Sequence, residues 1–123
     1  MSKARRQAAL THGMRAEWIA LALLRAKGYS ILARNYKVPG GEIDIIARRG
    51  SIVAFVEVKA RSSFDAAMAA IDATKRRRMS RAAAFWLAGK DWAQACTLRG
   101  DAICIMPWRW PRHVEAALEL RLG

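Results

Sequence analysis

The sequence predicts an α/β domain, a mixed central sheet of about four to five strands flanked by helices. Three observations lead there. Residues 11–27 and 65–87 carry apolar side chains at helical spacing. Between them lie three runs rich in β-branched and aromatic residues, at 29–38, 42–48 and 52–60, separated by glycine-bearing breaks. The chain has 123 residues, 54% of them hydrophobic, which suits one well-filled core and is short for two.

The basic stretch 1–10 reads as a flexible arm, leaving 11–123 as a single domain. In the first helix Met14, Trp18, Leu21 and Leu24 recur every three or four residues, and Gly28 stands where a left-handed cap belongs. A first strand over 29–38 ends at Pro39-Gly40-Gly41. Ser62 or Ser63 is placed to cap the second helix. Residues 98–106 alternate as a fourth strand that Pro107 stops, and 113–122 fits a short helix or an edge strand.

Net charge is +12, from 22 Lys and Arg against 10 Asp and Glu. Such an excess on a small domain marks a partner that is a polyanion, DNA before RNA or a membrane surface. No run approaches the ~18 apolar residues of a spanning helix. Cys96 and Cys104 form neither a metal spacing nor a disulfide framework, which fits a reducing cytoplasm. His12 and His113 stand alone, without a ligand cluster around them.

The chemistry is concentrated in EIDIIARRGSIVAFVEVKA, residues 42–60. A two-residue turn at Gly50-Ser51 sets Arg49 against Ile52 and brings Asp44 opposite Glu57, with Lys59 on the same face. A loop one residue longer would turn Glu57 away. Opposed carboxylates in an apolar strand pair repel, and a divalent cation between them reverses the sign of the interaction. Mg²⁺ (or Mn²⁺) takes oxygen ligands, and a lysine beside it can orient a water or meet charge on a phosphate. Alone, Glu57-Val58-Lys59 would more often be a surface ion pair. Asp44 and the apolar flanks favour a phosphodiester-cleaving site.

Two helical residues bear on this site. Glu17 falls on the buried stripe of the first helix and is either salt-bridged to an arginine or a third acid. Lys75 lies on the inner face of the second helix and either snorkels along the core edge or reaches the site. Around it Arg76, Arg77, Arg78 and Arg81 form the densest basic cluster, a candidate phosphate-backbone surface that Arg5, Arg6, Arg48, Arg49 and Arg61 could extend. Trp108 and Trp110 flank Arg109 as core residues or as platforms for unpaired bases. Arg99 with Asp101 reads as a structural pair.

GEIDIIA (41–47) followed by VAFVEVKAR (53–61) resembles the D…ExK core of the PD-(D/E)xK, or restriction-endonuclease-like, superfamily. More narrowly, the chain resembles the YraN-type family of small bacterial proteins grouped with Holliday-junction resolvases. Gly13 with Glu17-Trp18-Ile19-Ala20, Gly28-Tyr29 before ILARNY (31–36), Lys75, Arg99 with Asp101, and His113-Val114 with Ala117-Leu118 follow that family's order. Gly100 departs from it, standing where an aromatic is usual. The resemblance implies a restriction-endonuclease-like core with Asp44, Glu57 and the Val58 carbonyl as metal ligands. It also implies Lys59 as the catalytic lysine, Glu17 as an accessory acid, branched DNA as substrate and a homodimer as the working form.

Overall fold

The computed structural model describes residues 3–122, with the side chains of residues 5–12 excepted. Elements run α1 (Lys3–Ala26), β1 (Ser30–Val38), β2 (Gly41–Arg49), β3 (Ile52–Ala60), α2 (Phe64–Ala69), α3 (Ala73–Leu87), α4 (Asp91–Gln94), β4 (Thr97–Ile105) and β5 (Arg112–Leu118). The five strands form one sheet in chain order. All neighbours are antiparallel except β3 and β4, which run parallel through the α2–α4 crossover.

The central strands are apolar on both faces, as a sheet covered on both sides requires. On one face Ala20, Leu21 and Leu24 of α1 pack on Ile45, Ala54, Val56 and Ile103. On the other, Met79, Ala82, Ala83 and Trp86 of α3 share a core with Ile43, Ile46 and Phe55, α3 lying against β2 while α2 lies against β4. Alternation then puts Glu57, between Val56 and Val58, on the α3 face with Phe55.

Helix α1 starts at Lys3 instead of residue 11. KARRQAAL contains good helix formers and no breaker, so the described part of the stretch set apart as an arm continues the helix. The side chains of Arg5, Arg6 and His12 lie outside the described residues. The helix ends in a Schellman cap. Gly28 takes φ +90°, the Tyr29 N–H donates to the Leu24 carbonyl, and the Gly28 N–H donates to that of Arg25.

The expected second helix is two helices. Ser63 caps α2 by accepting the Ala66 N–H (3.1 Å). Asp72 restarts the chain as α3 by accepting the Lys75 N–H (2.9 Å). Residues 113–122 resolve to a strand over their first half, because β4 offers a free edge. The short α4 has no apolar period to announce it.

Candidate functional site

The hairpin has the expected register. Arg49 pairs with Ile52 and Ile45 with Val56, and Gly50 supplies the left-handed φ of +60° that the tight turn needs. Recorded backbone pairing of β2 and β3 stops at Ile45 and Val56. One step further Asp44 comes opposite Glu57, and its carboxylate Oδ2 accepts the Val58 N–H at 2.8 Å. The strands fork, and a side chain takes over the place of a ladder bond.

Glu57 is 3% exposed and is the acid most displaced from ordinary behaviour. Burial, and next the negative charge of Asp44, push its carboxyl up to about 7. Lys59 and Lys75 oppose that rise, and the Lys59 ammonium lies 3.3 Å from Glu57 Oε1. Asp44 is raised by burial as well, against the pull of the Val58 N–H and Lys59. Glu17 and Glu42 add further repulsion at Asp44. Two carboxylates are thus held close, desolvated and mutually unfavourable, with one lysine to share.

Glu17 makes the salt bridge expected of it. Its Oε1 accepts from Arg34 (Nε 3.2 Å, Nη2 3.1 Å) and from Asn35 Nδ2 (3.1 Å), at a half-buried position, since Met14 and Trp18 of the expected buried stripe are exposed. Its charge still reaches Asp44. Asn35 presents its amide there from a left-handed conformation, φ +49°, on edge strand β1. Lys75 points into the site, 3.4 Å from Glu42 Oε1. Glu42 escaped the sequence reading. Its signal was its place two residues before Asp44 on the same strand face.

The basic residues divide into groups. Arg76, Arg77, Arg78 and Arg81 line a groove of about 920 Å³ along the outer side of α3, closed by Gly40, Phe85 and Arg121. Arg78 also approaches Glu42 at 4.0 Å, so this groove adjoins the Glu42 carboxylate. Arg61 is exposed at the end of β3, on the site's side. Arg48 and Arg49 are carried by the hairpin to the other end of the strands, about five residues or ~16 Å from Glu57. There Arg48 covers Trp92 (4.6 Å) and Arg49 covers Tyr29 (4.6 Å). The structure does not join them to the α3 groove.

A second polar cluster lies on the α1 face. Asp101 is fully buried. It accepts both Arg99 Nε and Nη2 at 2.8 Å, His113 Nε2 at 2.8 Å and the Ala116 N–H at 3.0 Å. Burial alone would raise its carboxyl; these bonds outweigh it and hold Asp101 below the ordinary range. Ala116 aims its N–H there from φ +54°, where β5 shifts register. A Cβ on Gly100 would meet the Leu118 carbonyl oxygen at 2.4 Å, so the β5 backbone occupies the space an aromatic would need.

A mixed five-stranded sheet between helices, with an acidic fork at the end of its central hairpin, defines a restriction-endonuclease-like core. The chain belongs to the uncharacterised protein family UPF0102, whose family model matches residues 16–105. It is similar to UPF0102 proteins of Methylocella silvestris (58% identity, covering 96% of this chain and 95% of the relative) and Methylobacterium nodulans (54%, 94% and 90%). It is also similar to one of Mesorhizobium japonicum (50%, 93% and 91%). Among the described residues no three His, Cys, Asp or Glu side chains converge as a ready-made metal cluster, and no helix is long and apolar enough to cross a membrane.

Proposed function

We propose that this protein is a Mg²⁺-dependent (or Mn²⁺-dependent) endonuclease that hydrolyses phosphodiester bonds in structured or branched DNA. The observation that carries the reading is the pair of buried Glu57 and half-buried Asp44, with Lys59 3.3 Å from Glu57. The donor set fits a hard divalent cation. It consists of carboxylate oxygens, with the Val58 carbonyl as an implied third ligand, and their repulsion is relieved by positive charge.

Bound there, the ion would polarise the scissile phosphate and lower the pKa of a water. Asp44 is pre-oriented by the Val58 N–H, so one oxygen is tied and the other is free to ligate. Glu57 must give up its proton to become a ligand. Lys59 would then stand beside the reacting phosphate, where it orients the attacking water or offsets charge in the transition state. Lys75 and the α3 arginines position the strand through its phosphates.

The test is a panel of four-way junctions, flaps, duplexes, single strands and RNA with Mg²⁺ or Mn²⁺, using Glu57→Ala as control. Cleavage of branched DNA that vanishes in the control supports the proposal. An intact panel sinks it. The arginine groove exists independently of the carboxylates, and that favours one second reading, a nucleic-acid-binding protein without turnover. Binding would then be unchanged in Asp44→Asn. A homodimer would present two sites to two symmetric strands, and sedimentation with and without junction DNA tests it.

A further inference from the structure

The loop between β4 and β5 carries Trp108, Arg109 and Trp110, and the two tryptophans have relative exposures of 102% and 91%. The expectation that they pack as core is overturned. A pair of indoles in water is unfavourable by the area they leave wet, and it calls for a ligand face. Their position in the fold narrows the choice.

Strands β3 and β4 run parallel, with Lys59 paired to Cys104 and Ala60 to Ile105. The loop leaves β4 just after Ile105, so it emerges at the same end of the sheet as the carboxylate fork. The Arg61 N–H donates to the Ile105 carbonyl (3.1 Å), tying the chain after the catalytic strand to the base of the loop. On the return, Arg112 pairs with Cys104 and lays its guanidinium 3.9 Å from the Phe64 ring. Aromatic and cationic groups therefore alternate around one strand end, all of them within a few residues of Lys59. From Cys104 to Trp108 the chain spans at most ~14 Å. That is about four steps of a nucleic-acid strand at 3.4 Å each.

We propose that Trp108 and Trp110 are stacking platforms for unpaired bases next to the cleavage site, with Arg109, Arg61 and Arg112 meeting the adjoining phosphates. Paired bases have their faces covered by neighbours, whereas bases at a branch point, flap or single strand expose them. The loop thereby favours nucleic acid with unpaired bases over continuous duplex. This rests on the nuclease reading for its location but concerns binding, so it is measured without catalysis.

The full chain is titrated in EDTA into a fluorescein-labelled oligothymidine of about 16 nucleotides and into a duplex of equal length. The double variant Trp108→Ala/Trp110→Ala should lose about tenfold or more in affinity for the single strand and about twofold or less for the duplex. Trp108→Phe/Trp110→Phe should recover most of the loss. Equal losses on both ligands, or none on either, overturn the proposal. So does a change in sedimentation of the free protein on Trp→Ala, which would make the loop a protein interface. A protein that cleaves nothing yet shows this discrimination removes the nuclease reading and leaves the stacking platform standing. Cleavage with no discrimination does the reverse.

Discussion

Replacing Glu57 by Gln should stabilise the metal-free protein at pH 8. The native carboxyl sits near 7 against an ordinary 4.5, so the folded state binds this proton more tightly than the unfolded state does. The associated stability is fully present below about 4.5 and is lost as pH rises through about 7. At ~1.4 kcal/mol per pH unit, the wild-type protein forfeits up to ~3 kcal/mol between these limits. Glutamine never ionises and escapes that loss. It also leaves Lys59, 15% exposed, without its partner, which takes back ~1 kcal/mol. The net gain is ~2 kcal/mol at pH 8, or roughly 6–10 °C in Tm, and close to zero at pH 5. Asp44 titrates in the same sense. Asp101 is depressed, so its contribution is lost only as pH falls below the ordinary carboxylate range, outside this window. Thermal unfolding in EDTA at pH 5 and pH 8 measures both proteins. A variant destabilised equally at the two pH values, or a wild type whose stability rises from pH 5 to 8, would refute the reasoning.

Adding MgCl₂ at pH 8 should raise the wild-type Tm and leave Glu57→Gln unmoved, and the advantage of the variant should shrink or reverse as the wild-type carboxylates are neutralised. Asp101→Ala removes the acceptor of four hydrogen bonds from a fully buried position and leaves Arg99 only Glu115 and the Tyr29 hydroxyl; urea unfolding should show a loss of ~3–5 kcal/mol. Gly41→Ala would press a Cβ to 2.7 Å from the Arg78 carbonyl oxygen and 2.9 Å from the Ala82 nitrogen, costing ~1–3 kcal/mol by urea unfolding, because backbone atoms in α3 cannot yield. Gly13→Ala, with nothing within 4 Å, should be neutral or stabilising by up to ~1 kcal/mol. Changing Arg76, Arg78 and Arg81 to Gln should flatten the salt dependence of DNA binding by about two to three in slope.

Much of this geometry is visible in the sequence because strand alternation and a two-residue turn leave little freedom. Once Gly50-Ser51 closes the hairpin, Asp44, Glu57 and Lys59 have one arrangement. Side-chain reach is less determined. Glu17 was balanced between ligand and salt bridge, and the outcome depends on Arg34 and on an Asn35 conformation that no local pattern signals. Lys75 and Glu42 find each other across 33 residues of chain, a contact that exists only after α3 docks on β2. The break at Asp72 was legible as a helix cap but was masked by apolar spacing that runs on through it. The exposure of Trp108 and Trp110 was opaque, since a hydrophobic residue in a sequence carries no mark of being left outside.

The parallel pairing of β3 with β4 has a kinetic consequence. Residues 41–60 are a local hairpin, able to form early at small loop-closure cost, with its carboxylates still hydrated and ordinary in their acidity. The pairing of β4 with β3 spans the whole α2–α4 crossover, so it carries a larger loop-closure cost than the hairpin. We therefore predict that the repulsion between Asp44 and Glu57 is felt at the slower, long-range step of assembly, when Glu57 becomes buried. Alkaline pH should slow that step while sparing hairpin formation, and a divalent cation present during refolding should speed it.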